Sequence, residues 1–148
     1  MKLVVLLGLL FTTLISRSEA KVTVVIQNAI PGGRSYMHCF SGDDDLGYHD
    51  LGSNQTFTFR FHVNFFGTTR FYCYFKTFYG FGAYGVFTNR MYHKCGDYCL
   101  WSVTPKGPCL HCIEGDLYCQ PWKNAKDQEA VVTADWAAGS RSGSLARG

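Results

Sequence analysis

The stretch TFTFRFHV, Thr56 to Val63, alternates without a break. Phe57, Phe59, Phe61 and Val63 fall on one side, and Thr56, Thr58, Arg60 and His62 on the other. A period of two is the signature of a strand with one face in a core and one in water. Working outward, RFYCYFK repeats it, with Phe71, Cys73 and Phe75 inward and Arg70, Tyr72, Tyr74 and Lys76 outward. VTVVIQ aligns Val22, Val24 and Ile26, and SYMHCFS sets Met37 and Cys39 opposite His38. AYGVFT and YCLWSVT are weaker copies, the second aligning Cys99, Trp101 and Val103. Turn residues separate these runs: NAIPGG, SGDDDLG, DLGSNQ, NFFGTT, YGFG and PKGP. No run between residues 21 and 120 carries a helical period. The expectation is an all-β antiparallel β-sandwich of seven or eight strands.

The first twenty residues read as a leader. Lys2 supplies a positive start, Leu3 to Ile15 is almost wholly apolar, and SRSEA puts Ser18 and Ala20 at the small-residue positions before a cut. Cleavage is expected between Ala20 and Lys21, and the apolar run is short for a membrane span. The mature chain is therefore expected to be secreted and not inserted in a membrane. The organisation expected is a signal peptide at 1–20, one domain at 21–123 and a flexible tail at 124–148, which is rich in Ala, Gly, Ser and Arg. Removing residues 1–20 takes away Lys2, Arg17 and Glu19, so the net charge falls from +3 to +2. That balance argues against a nucleic-acid partner.

Seven cysteines follow residue 20, which in an exported chain reads as a disulfide framework with one thiol left over. The spacing of Cys95, Cys99, Cys109 and Cys112 approaches that of a zinc ribbon, and CLHC that of a redox pair. Export favours disulfides over both, so no metal and no cofactor are expected. NQT at Asn54 is an N-glycosylation sequon in a turn.

Asp43, Asp44 and Asp45 stand in a row. Calcium sites draw oxygens from alternating positions with a later glutamate, and paired-carboxylate catalysis needs two acids across a cleft. Neither pattern is here, and a turn ending at Gly47, shaped by Asp side chains accepting backbone N–H groups, is the reading preferred. His38, His49, His62, His93 and His111 are scattered, and combining them with Ser41 or Ser53 gives no nucleophile elbow. No catalytic residue is assigned. The outward aromatics Phe40, Tyr48, Tyr72 and Tyr74 are candidates for a protein or sugar contact.

HCFSGDDDLGYHDL, FTFRFHVNFFGTTRFYCYF and CGDYCLWSVTPKGPC, in that order, together resemble the plant self-incompatibility protein family, the S-protein homologues. The resemblance runs from about Val22 to Cys109. It implies a small, secreted, disulfide-bonded β-sandwich, with Cys39, Cys73, Cys95 and Cys99 at the positions of the family's usual cysteines. It also implies a non-enzymatic signalling ligand of the self-pollen-rejection family that acts on a cell-surface receptor protein. The alternative is an extracellular carbohydrate-binding or defence module of the plant wall. Four cysteines admit three connectivities; the one favoured here is Cys39–Cys99 with Cys73–Cys95. Beyond them Cys112–Cys119 is favoured, leaving Cys109 free or able to join a second chain in an otherwise monomeric protein. The expected receptor-contact loop carries Asp43, Asp44, Asp45, Tyr48 and His49, with the Gly52–Gln55 and Asn89–Asp97 loops as further candidates.

Overall fold

The computed structural model describes residues 2–6, 21–64 and 66–126. Most of the expected leader, the Ala20 side of the cleavage site, and residues 127–148 lie outside the described residues. Among the described residues no helix is long and apolar enough to cross a membrane.

Among the described residues ten strands follow in chain order: β1 (Lys21–Asn28), β2 (Ser35–Phe40), β3 (Asp45–Leu51), β4 (Thr56–His62), β5 (Phe71–Thr77), β6 (Gly80–Phe87), β7 (Tyr98–Thr104), β8 (Gly107–His111), β9 (Leu117–Cys119) and β10 (Asn124–Ala125). They form two five-stranded sheets, sheet I in the order β4-β1-β7-β8-β9 and sheet II in the order β10-β6-β5-β2-β3. The sandwich is as expected. The strand count exceeds seven or eight because β9 and β10, three and two residues long, lack a readable alternation. Sheet II takes in Asn124 and Ala125, just beyond the boundary placed at 123.

Pairing is antiparallel with one exception: β1 runs parallel to β7, with Val24 opposite Cys99 and Ile26 opposite Trp101. The antiparallel expectation fails there because the chain returns from sheet II to sheet I before making β7. A crossover, unlike a hairpin, can bring strands together parallel.

The inward residues read from the sequence form the core. Val22, Val24, Ile26, Phe59, Phe71, Phe75, Cys99, Trp101 and Val103 are buried, while Thr56, Thr58, Arg60 and His62 are exposed. Trp101 ties the two layers together, its indole N–H donating to the Val86 carbonyl at 2.9 Å. That bond satisfies the ring's polar edge while its area stays dry.

Asn28, at the end of β1, is fully buried yet fully bonded. Its amide donates to the carbonyls of Gly33 and Leu51, both at 2.9 Å, and its oxygen accepts the Ile30 N–H at 3.1 Å. One side chain thus fixes the end of β1, the β1–β2 turn and the end of β3. The second link between layers is the segment after β9. There Trp122 donates to Pro105 at 3.0 Å, and Tyr84 donates to Pro121 at 3.0 Å while accepting the Lys123 N–H at 2.7 Å.

The disulfides are Cys39–Cys73, Cys95–Cys99 and Cys109–Cys119, with Cys112 free. All three favoured pairings are therefore corrected. Cys39 and Cys73 are direct partners in the β2–β5 ladder, their Cα atoms 4.0 Å apart, whereas Cys99 lies in the other sheet. Cys95 ends a short helix (Asn89–Cys95) that delivers it to Cys99, at a Cα separation of 5.0 Å. Cys109 and Cys119 are register partners of the β8–β9 hairpin. Cys112 sits in its turn, donating its N–H to Asp116 and accepting that of Gly115. A dimer through Cys109 is thereby removed.

The helix is also a correction, since residues 89–97 were expected to be a loop. Thr88 caps it by accepting the Met91 N–H at 3.3 Å, Gly96 ends it at φ 64°, and Met91 and Cys95 are its buried pair.

Candidate functional site

Outward residues of sheet II fall into three rows set by register. Tyr36 lies between Asp50 and Lys76, with Phe81 beyond Lys76. His38 lies between Tyr48 and Tyr74, with Ala83 next. Phe40 lies between Asp45 and Tyr72, with Gly85 beyond. A face with so many rings turned to water costs hydrophobic free energy unless something covers it. Tyr48 is 83% exposed and Tyr36 51%.

The rings are organised. Tyr48 stacks on His38 with centroids 4.2 Å apart, His38 is 5.5 Å from Phe40, and Phe40 is 6.3 Å from Tyr72. Charge borders them: Arg34 grips Asp50 with two nitrogens, at 2.7–3.2 Å.

The three aspartates part company. Ser41 closes the turn, its hydroxyl accepting the N–H groups of Asp43 and Asp44 at 3.3 and 3.0 Å and its own N–H reaching the Asp44 carbonyl at 2.7 Å. The carboxylates of Asp43 and Asp44 are exposed. Asp45 opens β3, and its Oδ1 accepts both the Gly47 N–H at 2.9 Å and His38 Nε2–H at 2.7 Å. The Gly47 amide, and then His38, hold the Asp45 carboxyl below the usual carboxylate range. Gly47 needs its positive φ of 79° to turn this corner. Leu46 packs against the core while the acids stay wet.

Tyr48 and His49, expected together in one contact loop, face opposite ways. Tyr48 joins the outer rows. His49 is half-buried, donates to the Leu46 carbonyl at 2.8 Å and stacks on Phe57 at 3.7 Å, so it closes the gap between β3 and β4. Strand alternation explains the split.

Asn54 is exposed at a turn, at φ 64°, with its N–H bonded to the Asn28 carbonyl at 2.8 Å. Cys112 is half-buried against Asp116 beneath the helix, and burial, then the Asp116 charge, pushes its thiol up. Among the described residues no group of three or more His, Cys, Asp or Glu is placed to hold a metal.

The sequence reading missed one Ser–His contact: Ser102 Oγ lies 2.8 Å from His111 Nε2, across β7 and β8. It is solvent-exposed, and among the described residues no carboxylate bonds the other ring nitrogen. A working triad needs that orienting partner and an oxyanion site beside the nucleophile.

The fold and site describe a small, disulfide-stapled β-sandwich with an aromatic outer face, and comparison with known proteins agrees. The profile of the plant self-incompatibility protein S1 family matches residues 23–136, further than the motifs alone reach. The chain is 34% identical over 100 residues to S-protein homolog 19 of Arabidopsis thaliana, covering 68% of this chain and 74% of that protein. It is 35% identical over 117 residues to S-protein homolog 4 of the same plant, covering 71% and 74%. A solved structure of an SPH (self-incompatibility protein homologue) protein superposes with a TM-score of 0.55 at 19% identity, covering 76% of this chain and all of that one. SPH proteins are described with that structure as a widespread family of small, highly stable, secreted proteins from plants. The chain belongs to the plant self-incompatibility protein S1 family.

Proposed function

We propose that this chain is a secreted, non-enzymatic protein ligand that binds a cell-surface receptor protein through the outer face of sheet II. The observation that carries the reading is the register-aligned set of exposed rings, Tyr36, Tyr48 and Tyr74 about His38, bordered by the Arg34–Asp50 pair. Large amphipathic rings ringed by charge are the composition of protein contact sites, where a few aromatic anchors carry most of the affinity. Family membership supports the same reading, as does the leader pattern ending at Ala20. Asp45 acts by fixing His38 under Tyr48. Asp43, Asp44 and His49 are not on this face.

The test uses labelled full-length protein, secreted from plant cells, on cells of the source plant. Saturable binding lost on mild protease treatment of the cells, and weakened about tenfold or more by Tyr48→Ala with Tyr74→Ala, is expected. Binding indifferent to both treatments sinks the proposal. The same secreted material should begin at Lys21. Glycosidase should lower its mass through Asn54 alone, and Asn54→Gln should remove that shift. A product starting before Lys21, or one unchanged by glycosidase, overturns those two assignments separately. Under non-reducing conditions the protein is expected to run as a monomer.

A further inference from the structure

A groove of about 530 Å³ opens between the Ser41–Asp44 turn and Asn64, Thr68 and Thr69, at the Tyr72 end of the outward rows of sheet II. Asp43, Asp44, Asn64, Thr69, Arg70 and Tyr72 are among its lining residues. Its chemistry is mixed in a specific way. Carboxylates only accept hydrogen bonds and a guanidinium only donates. Here both kinds share one groove, yet among the described residues neither aspartate nor Arg70 forms an ion pair.

The walls are held from behind. Ser41 Oγ takes the two aspartate N–H groups, so the turn is shaped without using their carboxylates. Asn64 is laced to Thr68 and Thr69, accepting the Thr68 N–H at 2.8 Å and giving its own N–H to Thr69 Oγ1 at 2.9 Å. Tyr72 is half-buried against Phe40, so its ring is already ordered. Groups fixed before binding lose little entropy on binding.

A ligand suited to this set must donate to carboxylates and accept from a guanidinium at neighbouring atoms. It must also present an apolar patch to a tyrosine ring, and carry little charge, because acids and Arg70 oppose one another. A vicinal diol on a pyranose ring meets all three demands: each hydroxyl both donates and accepts, and the ring's C–H face is apolar. We propose that this groove is a saccharide-binding site for a neutral hexose oligosaccharide. The site shares only Tyr72 with the outward rows of sheet II and uses none of Tyr36, Tyr48 and Tyr74, so it survives whether or not the receptor assignment holds.

The test titrates isotope-labelled full-length protein with cellohexaose, following backbone amides by NMR, with hexagalacturonate as the charged comparison. Saturable shifts centred on Asp43, Asp44, Arg70 and Tyr72 are expected, with weaker binding of hexagalacturonate. Arg70→Gln, and separately Asp44→Asn, should each weaken cellohexaose about tenfold or more, because each strands or removes a charge-assisted hydrogen bond. Tyr72→Ala should abolish binding, and Lys76→Ala on the outer face should leave it unchanged. If Tyr72→Ala fails to fold, Arg70→Gln and Asp44→Asn decide. No saturable shift with cellohexaose overturns the proposal. So does tighter binding of hexagalacturonate, or a shift pattern on Tyr36, Tyr48 and Tyr74 instead of the groove.

Discussion

His38 Nε2 lies 2.7 Å from Asp45 Oδ1 across the β2–β3 turn, and that same oxygen also takes the Gly47 amide. The two bonds make the Asp45 carboxylate the pin of the turn, with the Gly47 amide the larger influence on its acidity. A depressed carboxylate steadies the folded form above its unfolded pKa, and that support disappears as pH falls through the folded value. The Asp45 carboxyl should therefore titrate below the ordinary 3.8. Tyr48 ring resonances should shift with it, since Tyr48 rests on His38. An Asp45 midpoint at or above 3.8 by carbon-detected NMR refutes this.

The three disulfides close loops of different length, with sequence separations of 34, 10 and 4. Chain-entropy arithmetic ranks their removal at about 4 kcal/mol for Cys39–Cys73, about 3 for Cys109–Cys119 and about 2 for Cys95–Cys99. Paired Cys→Ser variants followed by denaturant unfolding should reproduce that order. A Cys95–Cys99 deletion costing more than Cys39–Cys73 would contradict it.

Asn28 satisfies three backbone groups inside the core. Asn28→Ala strands the Gly33 and Leu51 carbonyls and the Ile30 N–H, each at roughly 1–3 kcal/mol. A loss of about 3 kcal/mol or more is expected from urea unfolding. A loss under about 1 kcal/mol would mean that water replaces the side chain.

Gly107 begins β8 at φ 137°, and a Cβ there would run into the Gln120 carbonyl. Gly107→Ala should destabilise by more than about 2 kcal/mol, combining backbone strain with overpacking. Hydrogen exchange should quicken first in the segment after β9, which it displaces. Wild-type stability in this variant would show that the segment moves freely aside.

Alkylation of the native protein should label one cysteine, Cys112, with a rate still rising as pH passes the ordinary thiol value of 9.0, because burial and Asp116 disfavour its thiolate. Label on Cys109 by peptide mapping would restore the original assignment of the free thiol.

These cases also show what was legible beforehand. The inward set of β1, β4, β5 and β7 followed from alternation alone, because a half-buried strand leaves a strict local pattern. Cys39 was rightly placed inward, but its partner depended on β5 lying beside β2, which no local pattern encodes. The helix left three signals, Thr88 before it, Gly96 after it and Met91 with Cys95 four apart. Seven residues are too few for a period to emerge. Asn28 looked like an ordinary turn residue, since nothing nearby reveals that Leu51 will arrive at its amide. The sheet II face was half read, in Phe40, Tyr48, Tyr72 and Tyr74. Tyr36 joined through strand order, and His49 left it through alternation.

The parallel pairing of β1 with β7 has a temporal consequence. β1 is the first strand of the domain, yet it lies inside sheet I, between β4 and β7, where Thr23 meets Tyr98. Its neighbour on one side is made last but three of the ten strands. A chain emerging from its amino end can cover one edge of this apolar strand with β4, but must carry the other edge open until β7 has followed. Sheet II, whose β2, β3, β5 and β6 come between, can zip first from hairpins. Contacts so distant along the chain slow folding toward the millisecond-to-second range. During that interval Val22, Val24 and Ile26 are the residues most in need of a chaperone.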